Sequence, residues 1–238
     1  MAVLFISDLH LESARPEGVE RFVDFVGHDG LAAQRLYILG DLFEAWVGDD
    51  DTDPGLRPVA AALGRLTRSG VACFIMHGNR DFLIGERFAA ETGCTLLGDY
   101  ETVEVHGRSV LLTHGDLLCT DDEAYMTLRE IVRDPAWQAA FLAKPLAERH
   151  RIADGLRQMS RTEIAAKPDD IMDINQSTVE RTMRRFGVNL LLHGHTHRPA
   201  VHEFPLDADT AVRIVLGAWH ERASVVRWDE DGFELVEF

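Results

Sequence analysis

The sequence has 238 residues, of which 46% are hydrophobic and 27% charged, a balance that favours one soluble globular domain over a disordered or fibrous chain. Its 40 acidic and 24 basic side chains give a formal net charge of −16, which disfavours general binding to nucleic acid. Three cysteines without C-x-x-C spacing and the lack of a long apolar stretch argue against a disulfide framework, a signal peptide and a membrane span, so we expect a cytoplasmic protein.

The first half of the chain alternates strand-like and helix-like segments, as expected for βαβ units. Apolar runs that end in glycine or polar residues predict strands, and apolar residues at helical spacing predict helices. In chain order we predict a strand at 2–6, a helix with Val19, Phe22, Val23 and Val26, a strand at 35–40, a helix with Val59, Leu63 and Leu66, a strand at 71–76, a helix at 86–92, and a hairpin of strands at 100–107 and 109–115.

Helical stripes replace the strand pattern from about residue 121 to 167. We therefore predict one domain over 1–238 with a helical insertion at 121–167. Cys73, Cys94 and Cys119 are expected to be small core residues. A helix at 176–186 and strands at 188–194, 200–206, 212–219, 224–229 and 233–238 complete the prediction.

Short polar motifs follow the first two predicted strands. Asp8 and His10 are two residues apart at the end of the first strand, where the alternation of side chains puts both on one face. Alone, this pattern also fits a strand-end cap beside a surface histidine. Asp41 follows Gly40, which permits a tight turn and close approach of the backbone, so it is a candidate bridging carboxylate. A helix N-cap is the alternative for this aspartate.

The third motif, HGNRD, places Asn79 and Arg80 directly after the strand at 71–76. The asparagine supplies a neutral oxygen that can coordinate a hard cation, and the arginine supplies a fixed positive charge. A turn built on Gly78 and Asn79 is the alternative, and Arg80 can also pair with Asp81.

Histidines dominate the last two motifs. His114 follows the strand that begins at residue 109, and His195 and His197 in HGHTH repeat the two-residue spacing after another strand. The motif HGHTH has three histidines, His193, His195 and His197, around one glycine. Such a group is costly to bury without a function, so metal ligation is favoured over a structural role.

All five motifs lie at the carboxyl ends of predicted strands, where open α/β sheets place their sites. One metal site can be formed by Asp8, His10, Asp41 and His197, and a second by Asp41, Asn79, His114 and His195. Mixed oxygen and imidazole ligands suit Mn²⁺, and also Fe, Zn or Co, better than Ca²⁺.

The motifs DLH, GD, GNRD, HGD and GHTH, in this order, resemble those of the calcineurin-like metallophosphoesterases, which implies the same seven ligands. Most members of that superfamily have histidine where this chain has Arg80. With GDLFEAWVGDD, HGDLLCTDD and IMDINQ, the chain more closely resembles the UDP-2,3-diacylglucosamine hydrolase family, nearly end to end. That resemblance implies an α/β fold, specifically a four-layer αββα sandwich with a helical lid, and two Mn²⁺ ions per chain.

The same resemblance implies the reaction and its site. Water attacks the α-phosphorus of UDP-2,3-diacylglucosamine, giving UMP and lipid X, at the cytoplasmic face of the inner membrane, where the protein binds peripherally. Asn79 and Arg80 are the implied catalytic residues, and Arg80 is suited to bind the diphosphate. The implied substrate contacts are Asn79, Arg80, Asp122, Ser160, Lys167 and His195, whereas Ile164 replaces an asparagine of the family.

The predicted lid has apolar faces that either pack on the core or hold acyl chains. Between Arg129 and Lys167 there are eight basic and five acidic residues, which fits an anionic membrane surface and also a solvated helix. We expect no nucleic acid and no obligate protein partner.

Two other functions compete with this one. Another phosphodiesterase or phosphatase can use the same metal core, and a non-catalytic scaffold can keep the same fold, although scaffolds usually lose ligands. Among the remaining histidines, His77 and His193 are expected to orient ligands. His28, His106, His150, His202 and His220 are expected to be structural.

Overall fold

The computed structural model describes residues 1–166, 173–220 and 222–238, with side chains described for 1–158, 173–220 and 222–238. The strands are Val3–Ile6 (β1), Arg35–Leu39 (β2), Ala72–Met76 (β3), Thr95–Leu97 (β4), Tyr100–Val105 (β5), Arg108–Thr113 (β6), Leu190–His193 (β7), Ala200–Leu206 (β8), Asp209–Val215 (β9), Ser224–Asp229 (β10) and Gly232–Glu237 (β11). The helices are Pro16–Phe25 (α1), Arg57–Arg68 (α2), Glu86–Thr92 (α3), Glu123–Arg133 (α4), Pro135–Leu142 (α5), Leu146–Ala166 (α6) and Gln176–Phe186 (α7).

The strands form two sheets. The first has the order β11-β10-β1-β2-β3-β4. Strands β1 to β4 are parallel, and β10 pairs antiparallel with both β1 and β11. The second has the order β5-β6-β7-β9-β8, with β6, β7 and β9 parallel. Both sheets therefore contain neighbouring parallel strands, whose carboxyl ends lie at one edge of each sheet.

Three apolar layers hold these elements together. Phe5 and Tyr37 of the first sheet meet Leu112 and Leu192 of the second, so the sheets pack face to face. On the outer face of the first sheet, α1 and α2 cover buried residues such as Leu36. On the outer face of the second sheet lies α7. The order helix, sheet, sheet, helix confirms the αββα sandwich.

The predicted elements differ from the observed ones in detail. Strand β4 has only three residues, too few for an alternation pattern to be recognised. Strand β9 ends at Val215, because the chain turns into a loop before Trp219. The three cysteines are buried, as predicted.

Three helices, α4 to α6, follow the short turn after β6. Asp116 fastens the first of them to the core, because its Oδ2 accepts hydrogen bonds from Tyr125 Oη at 2.6 Å and Arg129 Nε at 2.7 Å. Arg149, buried on α6, donates to the carbonyl of Val47 at 2.6 Å and pairs with Asp50. These charged contacts attach α4 and α6 to the sandwich.

Candidate metal centre and adjoining cavity

Five of the predicted metal ligands have a left-handed backbone. Their φ angles lie between 49° and 71°, a region that non-glycine residues rarely adopt. The prediction that strand alternation puts Asp8 and His10 on one face is wrong, because strand β1 ends at Ile6. Left-handed backbone conformations after the strand bring the two side chains together instead. Such strained residues cluster at functional sites. The five are Asp8, His10, Asp41, His195 and His197.

Glycines allow the loops to approach one another closely. A Cβ on Gly40 would lie 2.5 Å from Nδ1 of His114, and one on Gly194 would lie 2.2 Å from Oδ2 of Asp8. Neither distance is sterically possible, so any side chain at these positions would displace a candidate ligand. The prediction of close approach at Gly40 is confirmed.

The first cluster contains Asp8, His10 and His197. The Nε2 atoms of His10 and His197 are 3.2 Å apart, and Nε2 of His197 lies 3.3 Å from Oδ1 of Asp8. The other carboxylate oxygen of Asp8 accepts a hydrogen bond of 2.9 Å from the backbone N–H of His195. Ligands of an octahedral cation are separated by about 3 Å, so these atoms have the spacing of a coordination shell.

The second cluster contains Asn79, His114 and His195. Oδ1 of Asn79 lies 3.0 Å from Nε2 of His114 and 3.0 Å from Nδ1 of His195, and the two ring nitrogens are 3.2 Å apart. Nδ1 of His114 donates to the carbonyl of Leu39 at 2.8 Å. In the neutral ring Nε2 then has only a lone pair, which faces the asparagine oxygen, and a cation between these acceptors would resolve their repulsion.

Asp41 lies between the two clusters. Its Oδ2 is 3.8 Å from Nε2 of His10 and also 3.8 Å from Nε2 of His114. Its Oδ1 accepts the backbone N–H of Arg80 at 2.8 Å, which fixes the carboxylate plane. This carboxylate therefore lies within reach of a histidine of each cluster.

The charges of the centre also suit a cation. Burial opposes ionisation of Asp8, but the imidazoles of His197, His114 and His10 hold the pKa of its carboxyl well below its usual range. Burial, followed by the charge of His114, lowers the pKa of His195 to about 4. Asp8 is thus ionised and His195 neutral, the states in which each binds metal. Against the effect of burial, the hydrogen bond to Glu44 raises the pKa of His10 and the charge of Asp41 raises that of His114, so metal binding at these two rings releases protons.

Asp8 provides a separate indication. Its Oδ1 is buried and, apart from the 3.3 Å contact with Nε2 of His197, has no polar partner among the described residues. Burial also raises the pKa of Asp41, against the opposing charges of His114 and His10. Two buried carboxylates in one centre are costly without a counter-charge, so the donor set fits a divalent cation.

Arg80 and Asp81 have separate roles. Oδ1 of Asp81 accepts the N–H of Gly78 at 2.8 Å and its Oδ2 accepts the N–H of Leu42 at 2.7 Å. The alternative in which Arg80 pairs with Asp81 is therefore wrong, because this carboxylate joins two backbone loops. Nε of Arg80 is buried and has no hydrogen-bond partner among the described residues.

An apolar cavity of about 490 Å³ adjoins the centre, within the usual size of a small-molecule site. Of the predicted substrate contacts, Asn79, Arg80, Asp122 and His195 line it. Ser160 and Lys167 lie outside the residues whose side chains are described, as does Ile164. The apolar lining comes from both the core and the helices α4 to α6, and includes Trp46, Val47, Phe82, Leu83, Leu128, Val132, Trp137, Phe141, Ala153 and Leu156.

Sequence patterns missed two side chains at the centre. Oε2 of Glu44 accepts from Nδ1 of His10 at 3.0 Å, which leaves Nε2 of that ring for a cation. Burial would raise the pKa of Glu44, but the hydrogen bond and charge of His10, with Arg80 and Arg157, lower it to about 2. The ring of His220, predicted to be structural, stacks on His10 with centroids 5.1 Å apart. His220 directly follows the predicted strand at 212–219, and this position at a strand end could have identified it as a candidate site residue.

His77 and His193 lie behind the centre. Nε2 of His77 donates to the carbonyl of Ile84 at 2.7 Å and so orders the loop that carries Asn79. His193 is fully buried between Arg213, 3.2 Å from its Nε2, and the carbonyl of Gly194, 2.8 Å from its Nδ1. Both histidines therefore contact the loops that carry candidate ligands.

Several known proteins align with this chain. Residues 1–199 match the family model "Calcineurin-like phosphoesterase". UDP-2,3-diacylglucosamine hydrolase from Salmonella arizonae is 50% identical over 238 residues, which is 100% of this chain and 99% of the relative. The enzyme of the same name from an Enterobacter species is 49% identical over the same shares. Among solved structures, an archaeal phosphodiesterase aligns over 100% of both chains with 13% identity and a TM-score of 0.49.

Proposed function

The chain belongs to the calcineurin-like phosphoesterase family, and from this premise we propose that it hydrolyses the diphosphate bond of UDP-2,3-diacylglucosamine in lipid A biosynthesis. The products are UMP and the diacylglucosamine 1-phosphate known as lipid X. One observation carries the proposal: a cluster of metal-ligand side chains opens onto an apolar cavity, which matches a substrate that joins a diphosphate to acyl chains.

Two divalent ions, proposed to be Mn²⁺, would be held by the two clusters. Asp8, His10 and His197 would hold one ion, Asn79, His114 and His195 would hold the other, and Asp41 would contribute to both. When bound, the ions activate water and stabilise negative charge on the phosphoryl oxygens. The support is the spacing of about 3 Å among the donor atoms, which octahedral coordination requires.

Arg80 is proposed to hold the diphosphate. Its guanidinium matches phosphate geometry, and its buried Nε has a free donor for a phosphoryl oxygen within the described part of the protein. The side chain lines the cavity next to Asn79. These two residues therefore orient the phosphoryl groups for in-line attack at the α-phosphorus.

The helices α4 to α6 are proposed to act as a lid over the acyl chains. A narrower cavity should then lower kcat/KM for the lipid substrate and leave kcat/KM for substrates without acyl chains unchanged. Ala153 on α6 lines the cavity, and in Ala153→Phe we expect kcat/KM for the diacyl substrate to fall by about tenfold, since overpacking costs about 1–3 kcal/mol. Steady-state kinetics in the presence of Mn²⁺ measure the effect.

The matched control is Ala147→Phe, at an exposed position of the same helix. It should leave kcat/KM unchanged. Hydrolysis of bis(p-nitrophenyl) phosphate, which has no acyl chain, should also be unchanged in Ala153→Phe. An equal loss on both substrates would mean that the substitution damages the metal centre rather than the lipid site.

The protein is also proposed to bind the anionic inner-membrane surface from the cytoplasmic side. Within the described residues no helix is long and apolar enough to cross a bilayer. Two of the eight basic residues between positions 129 and 167 are already paired: Arg129 binds Asp116 and Arg149 binds Asp50. These two arginines therefore add no unpaired positive charge to a membrane-facing surface. The better support is apolar: Leu128, Ile131 and Leu142 on α4 and α5 are 38–50% exposed.

Ile131→Glu should therefore weaken co-sedimentation with phosphatidylglycerol vesicles by about tenfold, because it removes an apolar contact and adds repulsion from anionic lipid. Leu31→Glu, at a position 48% exposed outside these helices, is the control and should bind as the unmodified protein does. Equal loss in both variants would point to net charge alone and would refute a membrane-facing role for α4.

Hydrolysis in ¹⁸O-labelled water tests the proposed reaction directly. Mass analysis should find the label in UMP, as attack at the α-phosphorus requires, and label in lipid X would refute that point of attack. Faster turnover of simple phosphodiesters or DNA would favour another phosphoesterase activity. No turnover of any of these substrates with Mn²⁺ would favour a non-catalytic scaffold.

A further inference from the structure

Arg15 and His220 form a small polar cluster beside the first metal-ligand group. The imidazole of His220 lies 5.1 Å from the ring of His10 and 6.1 Å from that of His197, measured between centroids. Nη1 of Arg15 is 3.0 Å from Nδ1 of His220. Neither residue is among the seven proposed ligands, and both are exposed enough to meet a solute.

The contact with Arg15 determines which nitrogen of His220 has a lone pair. A guanidinium can only donate hydrogen bonds, so Nδ1 of His220 accepts in this contact. The neutral ring then has its proton on Nε2, which can donate but cannot coordinate a metal. Although a ring nitrogen of His220 lies within 4.8 Å of ligand atoms of His10 and His197, the ring is therefore better suited to an anion than to a cation.

Contacts of the preceding residue, Trp219, place His220 beside the centre. The N–H of Trp219 donates to the carbonyl of Asp8 at 3.1 Å, and Arg21 donates to the carbonyl of Trp219 at 3.1 Å. The indole is buried, with its Nε1 bonded to the carbonyl of Ser224 at 3.0 Å. His220 thus follows a residue anchored to the metal-binding loop, and little order has to be gained when a ligand binds.

Arg15 and His220 lie outside the apolar cavity. The cavity lining includes His10 and His197 but neither Arg15 nor His220. A diphosphate that bridges the centre has two substituents, and they must extend in different directions. The acyl-bearing sugar fits the apolar cavity, so the polar nucleoside must extend away from it, past the pair His10 and His197.

We propose that Arg15 and His220 bind the nucleotide half of the substrate, contacting its phosphoryl oxygens and ribose. This inference rests on the proposed function and adds to it a binding site for a nucleoside 5′-monophosphate. Nε of Arg15 donates to Glu12 at 2.5 Å and its Nη2 donates to the carbonyl of His10 at 3.5 Å, which orients the guanidinium so that Nη1 faces His220. Arg15 is ion-paired with Glu12, so its contribution to binding an anionic nucleotide is the directed Nη donors beside the centre more than a net positive charge.

Calorimetric titration of the Mn²⁺-loaded protein with UMP tests the site without turnover. Arg15→Ala should raise the Kd for UMP by about tenfold, as loss of a charge-assisted hydrogen bond does. Arg227→Ala, which removes an exposed arginine on β10, should not change it. The Kd for lipid X should be unchanged in both variants, and metal content by elemental analysis should remain that of the unmodified protein.

Two substitutions at His220 separate donation from stacking. His220→Gln keeps an N–H donor and should bind UMP within about threefold of the original Kd, whereas His220→Phe keeps a ring on His10 and should bind about tenfold more weakly. The reverse order would overturn the proposal, because it would mean that His220 acts only by positioning His10.

Unchanged UMP binding in both Arg15→Ala and His220→Phe would likewise overturn it, even if the unmodified protein hydrolyses UDP-2,3-diacylglucosamine. If that hydrolysis fails but UMP binding depends on Arg15, the nucleotide site stands and the proposed reaction does not. Failure of the unmodified protein to bind UMP would overturn the nucleotide site.

Discussion

Replacing Asp41 by Asn should abolish binding of one or both metal ions and lower kcat by about 1,000-fold or more, which corresponds to about 4 kcal/mol of barrier. The reason is geometric, because Oδ2 of Asp41 lies 3.8 Å from a histidine of each cluster. An amide oxygen occupies the same position but lacks the charge that a bridging ligand supplies. Elemental analysis after gel filtration and steady-state kinetics with Mn²⁺ measure the two effects.

In the metal-free protein, Asp41→Asn should not lower the free energy of unfolding. Desolvation by burial raises the pKa of Asp41, so an ionised Asp41 carboxylate is costly in the metal-free protein. Without metal, Asp41→Asn should be at least as stable to urea as the original chain. Mn²⁺ should raise the Tm of the original chain more than that of the variant, because a protein gains stability only from the ions that it binds.

Asp231→Asn is the control for this substitution, since Asp231 is exposed on the turn between β10 and β11. It should keep full metal content and activity. Full occupancy of both sites in Asp41→Asn would refute the bridging role. Loss of folding in the metal-free variant would instead show that the carboxylate is structural.

Replacing Arg80 by Ala should lower kcat by at least about tenfold, or about 1.4 kcal/mol, without loss of metal. The structure separates these effects, because Asp41 contacts the backbone N–H of Arg80 and not its side chain. The truncation is therefore expected to remove the proposed phosphate-binding guanidinium and to leave the candidate metal centre intact. Single-turnover kinetics and elemental analysis on the same preparation test both expectations.

Arg80→Lys should restore only part of the rate, because an ammonium supplies the charge but not the planar pair of donors. Arg65→Ala, on the exposed face of α2, is the control for loss of one positive charge. An unchanged kcat in Arg80→Ala would exclude the proposed role, and loss of metal would mean that the side chain supports the centre instead.

The chain alone was sufficient to predict most of the fold. Apolar runs such as residues 35–40 and helical stripes such as Val59, Leu63 and Leu66 are local patterns, and the structure places β2 and α2 there. Strand β4 was missed, since its register is set by pairing with β3 and not by its own three residues. Local alternation also failed at Asp8 and His10, where tertiary contacts impose left-handed conformations.

The candidate ligands could be found because they follow strands, and parallel strands bring their carboxyl ends together. The side chains that orient them could not be found in this way. Glu44 is three residues after Asp41 and has no motif of its own, yet it bonds to His10, a residue 34 positions earlier. Such partners depend on how two loops pack, which no local pattern records.

The sequence by itself therefore determined the order of strands and helices, the seven candidate ligands and the unusual Arg80, because each depends on residue type and local spacing. Only the tertiary structure decided that Asp41 lies between two clusters, that the helices after β6 form an apolar cavity beside them, and that His220 stacks on His10. These relations join residues that are far apart in the chain, and they exist only once the two sheets have packed and brought their loops to one edge.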